Sequence, residues 1–363
     1  MKKKSDNKNY IFVADVNLDK IRVCIMNIKK KKSFSILFKL SHNTNKIKKF
    51  SNIVNEAIKY AKQEHKIDVT IGCIGAAGPI SRKRGYIKLT NSDLEINKKK
   101  ILKETTLKKV YLINNFEAIG YGIDLLDLNL DLVKLPHIED DLTSCMTKNN
   151  TISVIGSNVG LGMVIAKYNK KLRLHEPVPS EGGHMQISPS NELEFNLIKY
   201  LIKKVIQKKD VQPDFERIIS NKGIELIFDY LLTLKKYKKT LIVRKIIKMY
   251  HQDKIIEISK NYNKSNVCKK TIDIYMNFYA RICSNLALIS ECYSGLYITE
   301  LVPLKNIMNV EVKKKILMNF MKKFEKHDGK IEILKKIPVY IVTNKDVALF
   351  GCGNVVKNFS GIL

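Results

Sequence analysis

The segment Glu181-Gly182-Gly183-His184, preceded by Pro177 and Pro179, is the densest cluster of potential site chemistry in the chain. Glutamate supplies a hydrogen-bond acceptor and histidine both a donor and an acceptor within one turn of backbone. That pair suits a polyhydroxylated ligand, whose hydroxyl groups give and accept at once. The two glycines permit backbone geometry closed to other residues and a close approach by a ligand. A tight turn with incidental polar residues explains the same four residues equally well. Asn114-Asn115 follows an apolar run at 110–113. Asparagine at a strand end commonly caps the next helix, and this is the simpler reading. The functional alternative points both amides into a cleft. Gly156-Ser157-Asn158-Val159-Gly160-Leu161-Gly162 is a glycine-rich turn between two apolar segments. It can present backbone N–H groups to phosphate or form a plain hairpin. No Gly-Lys-Ser/Thr follows it, and the next segment is apolar strand rather than the opening of a helix. Walker and dinucleotide fingerprints are therefore excluded.

A mixed α/β scaffold is expected to position these residues. Short apolar or alternating runs predict strands over 10–15, 21–28 and 33–40, behind a basic tail at 1–9. A helical face of Ile47, Phe50, Ile53, Val54, Ala57 and Ile58 predicts a helix over 46–62. Strands follow at 69–75 and 110–113, then a helix at 116–126. The acidic, polar stretch 127–150 reads as loop or edge structure. A second series opens with strands at 152–155 and 163–168. Beyond Glu181 it turns helical, at 192–207, 213–219, 224–236, 240–250 and 271–290, leaving 251–270 unassigned. Strands at 295–299 and 337–343 and a helix at 347–359 close the chain. Two similar starts, near 10 and near 151, predict a duplicated architecture with an N-terminal lobe at 10–150 and a C-terminal lobe at 151–363. A C-terminal helix packing back on the first lobe and a ligand cleft between the lobes complete the expectation.

Composition narrows the function classes. With 363 residues, 45% of them hydrophobic, the chain can bury a large core and is not disordered throughout. No stretch of 18–20 apolar residues escapes charge, since 285–304 contains Glu291 and Glu300. The apolar run at 11–14 is too short for a signal-peptide core, and a soluble, cytoplasmic protein is expected. Seven cysteines without a Cys-x-x-Cys pair argue against a disulfide framework or a zinc site. The net charge of +30 suggests nucleic-acid binding, but 58 of the 65 basic residues are lysine, spread along the whole chain. Selective base readout favours arginine. Compositional drift in an A/T-rich genome accounts for the excess, which still predicts weak, salt-sensitive, non-specific polyanion binding.

The ordered set of segments resembles bacterial-type glucokinase, of the actin-like ATPase/hexokinase superfold. It comprises Asp15-Val16 after the first strand, Gly-Cys-Ile-Gly-Ala-Ala-Gly-Pro-Ile at 72–80, Leu-Thr-Asn at 89–91 and Leu-Ile-Asn-Asn-Phe-Glu-Ala at 112–118. The glycine-rich turn at 156–162, Glu-Gly-Gly-His at 181–184, Phe-Glu-Arg-Ile-Ile-Ser at 215–220, Ser-Asn-Leu-Ala-Leu at 284–288 and Ile-Pro-Val-Tyr at 337–340 follow. The resemblance implies a two-lobed, ribonuclease H-like α/β architecture with a central cleft. It also implies ATP with Mg²⁺, phosphoryl transfer to the 6-hydroxyl of glucose in glycolysis, and allows a homodimer. It assigns Asn91, Asn114, Glu181, His184 and Glu216 to glucose or a close hexose. Asp15, Arg22, Gly156, Gly160 and Gly162 fall on the nucleotide side, with Asp15 meeting Mg²⁺ through water.

This sequence departs from the family pattern on the catalytic and nucleotide side. Asn115 stands where the family has its aspartate base. The first phosphate loop, Asp-x-Gly-Gly-Thr-Asn in the family, is Asp15-Val16-Asn17-Leu18-Asp19-Lys20, with Leu18 expected in the space of the phosphate. Asn158-Val159 replaces Gly-Thr in the second loop, and Thr299-Glu300 replaces an adenosine-side Gly-Gly. The resemblance thus implies a retained sugar site with phosphoryl transfer weak or lost. The alternative is a non-catalytic hexose sensor or regulatory pseudo-kinase.

Overall fold

The structure, a computed structural model, describes residues 9–29, 34–81, 83–89, 92–137, 149–207 and 211–361. Two compact units emerge. The first comprises Met1–Leu132, Ala166–Pro179 and Asn344–Leu363, and the second Val133–Ile165 and Ser180–Thr343.

In the first unit, β1 (Tyr10–Val16), β2 (Lys20–Ile28) and β3 (Phe34–Asn43) precede α1 (Phe50–His65) and β4 (Ile71–Ala76). The small strands β5 (Ile80–Ser81), β6 (Tyr86–Lys88) and β7 (Glu95–Asn97) form a separate antiparallel sheet that the sequence pattern did not suggest. Then come α2 (Lys98–Glu104), β8 (Lys109–Asn114) and α3 (Asn115–Ile123). The main sheet has the order β3-β2-β1-β4-β8, with β1, β2 and β3 antiparallel and β4 and β8 parallel to β1. Strand β1 is central and covered on both faces, which is why its sequence is nearly all apolar. Phe12, Ala14 and Val16 pack with Ile53, Val54 and Ala57 of α1, whereas Ile11 and Val13 pack with Cys73 and Ala118 on the other face. Strand β3 runs past the expected end at 40. Its polar Ser41, His42 and Asn43 pair with Arg22, Ile21 and Lys20, so ladder hydrogen bonds extend it where the apolar pattern stops. Helix α1 starts at Phe50 rather than 46 because Thr44–Lys46 forms a 3₁₀ turn, with the Asn43 side chain accepting from the Asn45 N–H.

The remaining strands are β9 (Leu132–Leu135), β10 (Ile152–Ser157), β11 (Leu161–Asn169), β12 (Leu174–Ser180), β13 (Leu296–Ile298) and β14 (Val339–Val342). The helices between and after them are α4 (Glu192–Leu201), α5 (Phe215–Ile218), α6 (Asn221–Leu231), α7 (Leu241–Ile247), α8 (His251–Lys260), α9 (Asn266–Ser290), α10 (Val302–Asn306), α11 (Val310–Glu325), α12 (Ile331–Lys336) and α13 (Val347–Phe359). This sheet has the order β12-β11-β10-β13-β14-β9, with β13 parallel to both β10 and β14. Leaving out β9, the two sheets repeat one order: third, second, first, fourth, fifth in sequence. That repetition is the duplication read from the two similar starts. Helix α13 belongs to the first unit, where its Leu349 and Cys352 join Ile11, Val13 and Ala118.

Three expectations need correction. Strand β12, with Pro177 and Pro179, is an edge strand where the reading had only a flank; proline is tolerated there because half the ladder is unused. The unassigned 251–270 stretch is helical. Lys254 in α8 is buried between Glu225 and Asp229 of α6, each 3.0 Å from Nζ, so an ion cluster joins the buried Ile255 and Ile258 in holding that helix in place. Helices α10 to α12 were not foreseen. Among the described residues, no helix is long and apolar enough to cross a membrane.

Candidate functional site

In the first unit, Asn114 ends β8 and caps α3. Its side chain accepts the Phe116 N–H at 2.8 Å, while Glu117 reaches back to the Asn114 N–H at 2.9 Å, completing a capping box. Its Nδ2 donates to Gly78 O at 3.2 Å. The structural role is therefore realised, and it fixes the amide. A carboxamide has two N–H groups and two lone pairs, so each end of this one retains capacity for a ligand.

Asn115, the first residue of α3, donates from Nδ2 to Asn17 Oδ1 at 3.2 Å. Asn17 in turn donates to both carboxylate oxygens of Asp15, each at 3.0 Å. Arg22 approaches the same carboxylate with Nη2 at 2.5 Å and Nε at 3.2 Å, and gives its Nη1 to Lys345 O. Asp346 lies 3.5 Å from Nη1 and pairs with Lys39 at 2.6 Å. A continuous polar chain thus runs Asn115–Asn17–Asp15–Arg22–Asp346. Asp15 is 2% exposed; burial pushes its carboxyl pKa up, against the opposing pull of Arg22 and Asn17. Asn17 is the residue missed here. Its partner Asn115 is 98 positions away, and only the Asp-x-Asn spacing hinted at it.

This arrangement does not fit a Mg²⁺ ion ligated directly by Asp15. Its charge is met by Arg22 and both oxygens already accept from Asn17. Leu18, expected in the space of a phosphate, packs against the core of the first unit. Asn91 lies outside the described residues.

In the second unit, Gly182–His184 forms a 3₁₀ turn after β12. Neither glycine of the pair has φ in the left-handed region, contrary to the sequence reading. The need is for close packing: a Cβ on Gly183 would lie 2.0 Å from the Leu161 carbonyl oxygen of β11. Past the turn, a bridge between Gln186 and Asp214 lays the two segments side by side. Phe215 N–H donates to Met185 O at 2.9 Å and Ile187 N–H to Pro213 O at 3.1 Å. That pairing brings His184 to Asp214, with Nδ1 2.9 Å from Oδ2. Asp214 also caps α5, accepting the Arg217 N–H at 2.9 Å. Glu181 and His184 are well exposed, 77% and 53% at the side chain, with Nε2 4.0 Å from Glu181 Oε2. The Asp214 hydrogen bond raises the His184 pKa, with Glu216 and Glu181 adding to it against partial burial.

Glu216 accepts the Leu161 N–H at 2.9 Å, inside the glycine-rich turn. A Cβ on Gly160 would sit 2.6 Å from Glu216 Oε2, so a side chain there would push the carboxylate off its present position. Of the other two glycines, Gly156 lies within β10 and Gly162 within β11. The second unit therefore gathers Glu181, His184 and Glu216, together with Asp214, which the sequence reading had passed over. Three carboxylates about one imidazole can accept several hydroxyl protons while the imidazole gives or takes one more.

Two sheets of repeated order, each mixing an antiparallel triplet or its equivalent with parallel strands, define the actin-like ATPase fold of sugar kinases. A glucokinase from an Antarctic psychrotroph superposes with a TM-score of 0.73 at 21% identity, over 96% of this chain and 99% of that one. The glucokinase of Balamuthia mandrillaris, solved in complex with glucose, gives 0.75 at 18% identity over 96% and 94%. The Glucokinase family model matches residues 12–359. Glucokinase of Nostoc punctiforme is 31% identical over 297 residues, 77% of this chain and 80% of that protein. Glucokinase of Helicobacter pylori strain P12 is 25% identical over 309 residues, 85% of each. The chain belongs to the glucokinase family.

Proposed function

We propose that the protein binds glucose or a close hexose through Glu181, His184 and Glu216, and that it transfers phosphate from ATP to that sugar slowly. Family membership supports sugar kinase function. The observation that carries the sugar reading is the gathering of Glu181, His184 and Glu216 by the 185–187 and 213–215 bridge. Two of these side chains are exposed and all are hydrogen-bonding groups suited to hydroxyls. A Streptomyces griseus glucokinase of this fold, 15% identical with a TM-score of 0.58, was solved with glucose and AMPPNP.

The slow rate follows from Asn115, which this reading places at the base. A neutral amide orients a hydroxyl but takes no proton, and general-base catalysis contributes about 10²- to 10⁴-fold. Phosphoryl transfer depends mainly on positioning and electrostatics, so its loss slows the reaction without abolishing it. The Asp15–Arg22 pair favours a second reading, a hexose sensor without turnover, because the carboxylate is already neutralised.

A coupled assay for glucose 6-phosphate, run beside a Glu181→Gln variant, tests the first reading. The expected result is slow ATP-dependent formation that Glu181→Gln weakens through KM. Glucose binding by calorimetry with no nucleotide binding would replace it with the sensor. No glucose binding at all would end both.

A further inference from the structure

We propose that Asp214 is a positioning residue for hexose recognition, holding the His184 ring through Nδ1 so that Nε2 is presented to the sugar. The proposal rests on the hexose-binding reading and adds to it a residue and a protonation rule. Asp214 divides its carboxylate between two tasks. One oxygen accepts the Arg217 N–H at 2.9 Å and caps α5, and the other faces His184 Nδ1 at 2.9 Å. An ionised carboxylate only accepts, so Nδ1 carries a proton whenever this contact is made. The neutral ring then offers Nε2 as an acceptor, and the cation offers it as a donor.

The groups that face the ring are Asp214, Glu216 and Glu181, all carboxylates, and they favour the cation, consistent with the raised pKa. The ring is half exposed, and the hydrogen bond to Asp214 at 2.9 Å is a closer hold on it than Glu181, whose Oε2 lies 4.0 Å from Nε2. The backbone bridge that joins 185–187 to 213–215 makes the contact structurally persistent, because Asp214 is one of its paired residues and His184 adjoins it. Asp214 is thus placed to set which face and which proton of His184 a hydroxyl meets.

The capping duty can be separated from the positioning duty by substitution. Asparagine and serine cap helices about as well as aspartate. In Asp214→Asn the amide oxygen keeps the Arg217 N–H and the NH₂ turns to His184, forcing Nδ1 to accept and moving the neutral ring's proton to Nε2. In Asp214→Ser the cap is kept and the ring is released. Long-range ¹H–¹⁵N spectra of the full chain across pH, with His184→Gln to assign the signal, report the tautomer and the midpoint. Calorimetry with glucose reports the consequence.

For Asp214→Asn the midpoint of His184 is expected to fall, its neutral tautomer to switch, and glucose affinity to drop about tenfold, the equivalent of about 1.4 kcal/mol. The pH dependence of affinity should move to lower pH with the midpoint, and Asp214→Ser should show the lower midpoint without a forced switch. An unchanged midpoint and tautomer overturn the proposal, as does a switched tautomer with glucose affinity within twofold of the parent. If the parent protein binds no glucose, the hexose reading fails and this role falls with it. If the parent binds and both variants bind equally well, this role alone fails.

Discussion

Replacing Asn115 with aspartate would restore a carboxylate at the proposed base, and the first unit's polar chain sets how much can be recovered. At present Asn115 donates to Asn17 Oδ1, and Asn17 donates to both oxygens of Asp15. An aspartate at 115 removes the first donor and sets an acceptor against an acceptor. Rotating the Asn17 amide satisfies the new carboxylate but turns its oxygen toward Asp15. Either way one carboxylate in a partly buried cluster loses the Asn17 donor, at a cost of about 1–3 kcal/mol, or roughly 5- to 150-fold in rate. Set against a base worth about 10²- to 10⁴-fold, Asn115→Asp alone should raise turnover by well under its full potential, on the order of tenfold. Removing the bridging amide in Asn17→Gly/Asn115→Asp should release the rest, with a coupling of about 1–3 kcal/mol between the two sites. The assay is glucose 6-phosphate formation for the parent, both single variants and the double. Strict additivity, with Asn17→Gly making no difference to the gain from Asn115→Asp, would refute the argument. No gain in any variant would place the defect in nucleotide binding.

Arg281→Met should destabilise the second unit by about 3 kcal/mol in urea unfolding at neutral pH, because Glu194 is 2% exposed and has Arg281 as its ion-pair partner at 2.9 Å. Burial pushes the Glu194 carboxyl up, but Arg281 and Ser190 together hold it below the ordinary value. Its contribution is therefore present above that ordinary value and lost as pH falls through the lowered one. With Arg281 gone, burial is opposed only by the Ser190 hydrogen bonds and the carboxylate loses its ion pair, so the gap between variant and parent should close toward acid pH. The net charge of +30 should give heparin retention that collapses between about 50 and 200 mM salt, and a salt-resistant complex would contradict the drift reading.

The sequence made the doubly covered strands and the amphipathic helices legible. Strand β1 reads as a near-continuous apolar run because both its faces are buried, and α13 was placed at its observed bounds because its pattern and its ends agree. Strand β12 and helix α8 were not legible. One is an edge strand holding two prolines, and the other is largely polar, its short apolar pair Ile255 and Ile258 standing beside a buried Lys254 whose carboxylate partners lie on α6. Strands β5 to β7 are two or three residues long, too short to show a period.

The same division runs through the candidate site. Glu181 and His184 were visible because four neighbouring residues already made a chemical proposition, and Asn114 because a strand end and a cap share a local signature. The reason for Gly182-Gly183 was not visible: backbone freedom was expected, whereas the structure needs room beside the Leu161 carbonyl. Asp214 and Asn17 were passed over because each acts through a partner 30 or 98 positions away. Local composition and spacing determine which segments form elements and which side chains could react, since those depend on neighbours along the chain. Which donor meets which acceptor was decided only by tertiary structure, because a hydrogen bond forms over about 3 Å of space, and only the folded backbone brings such residues that near.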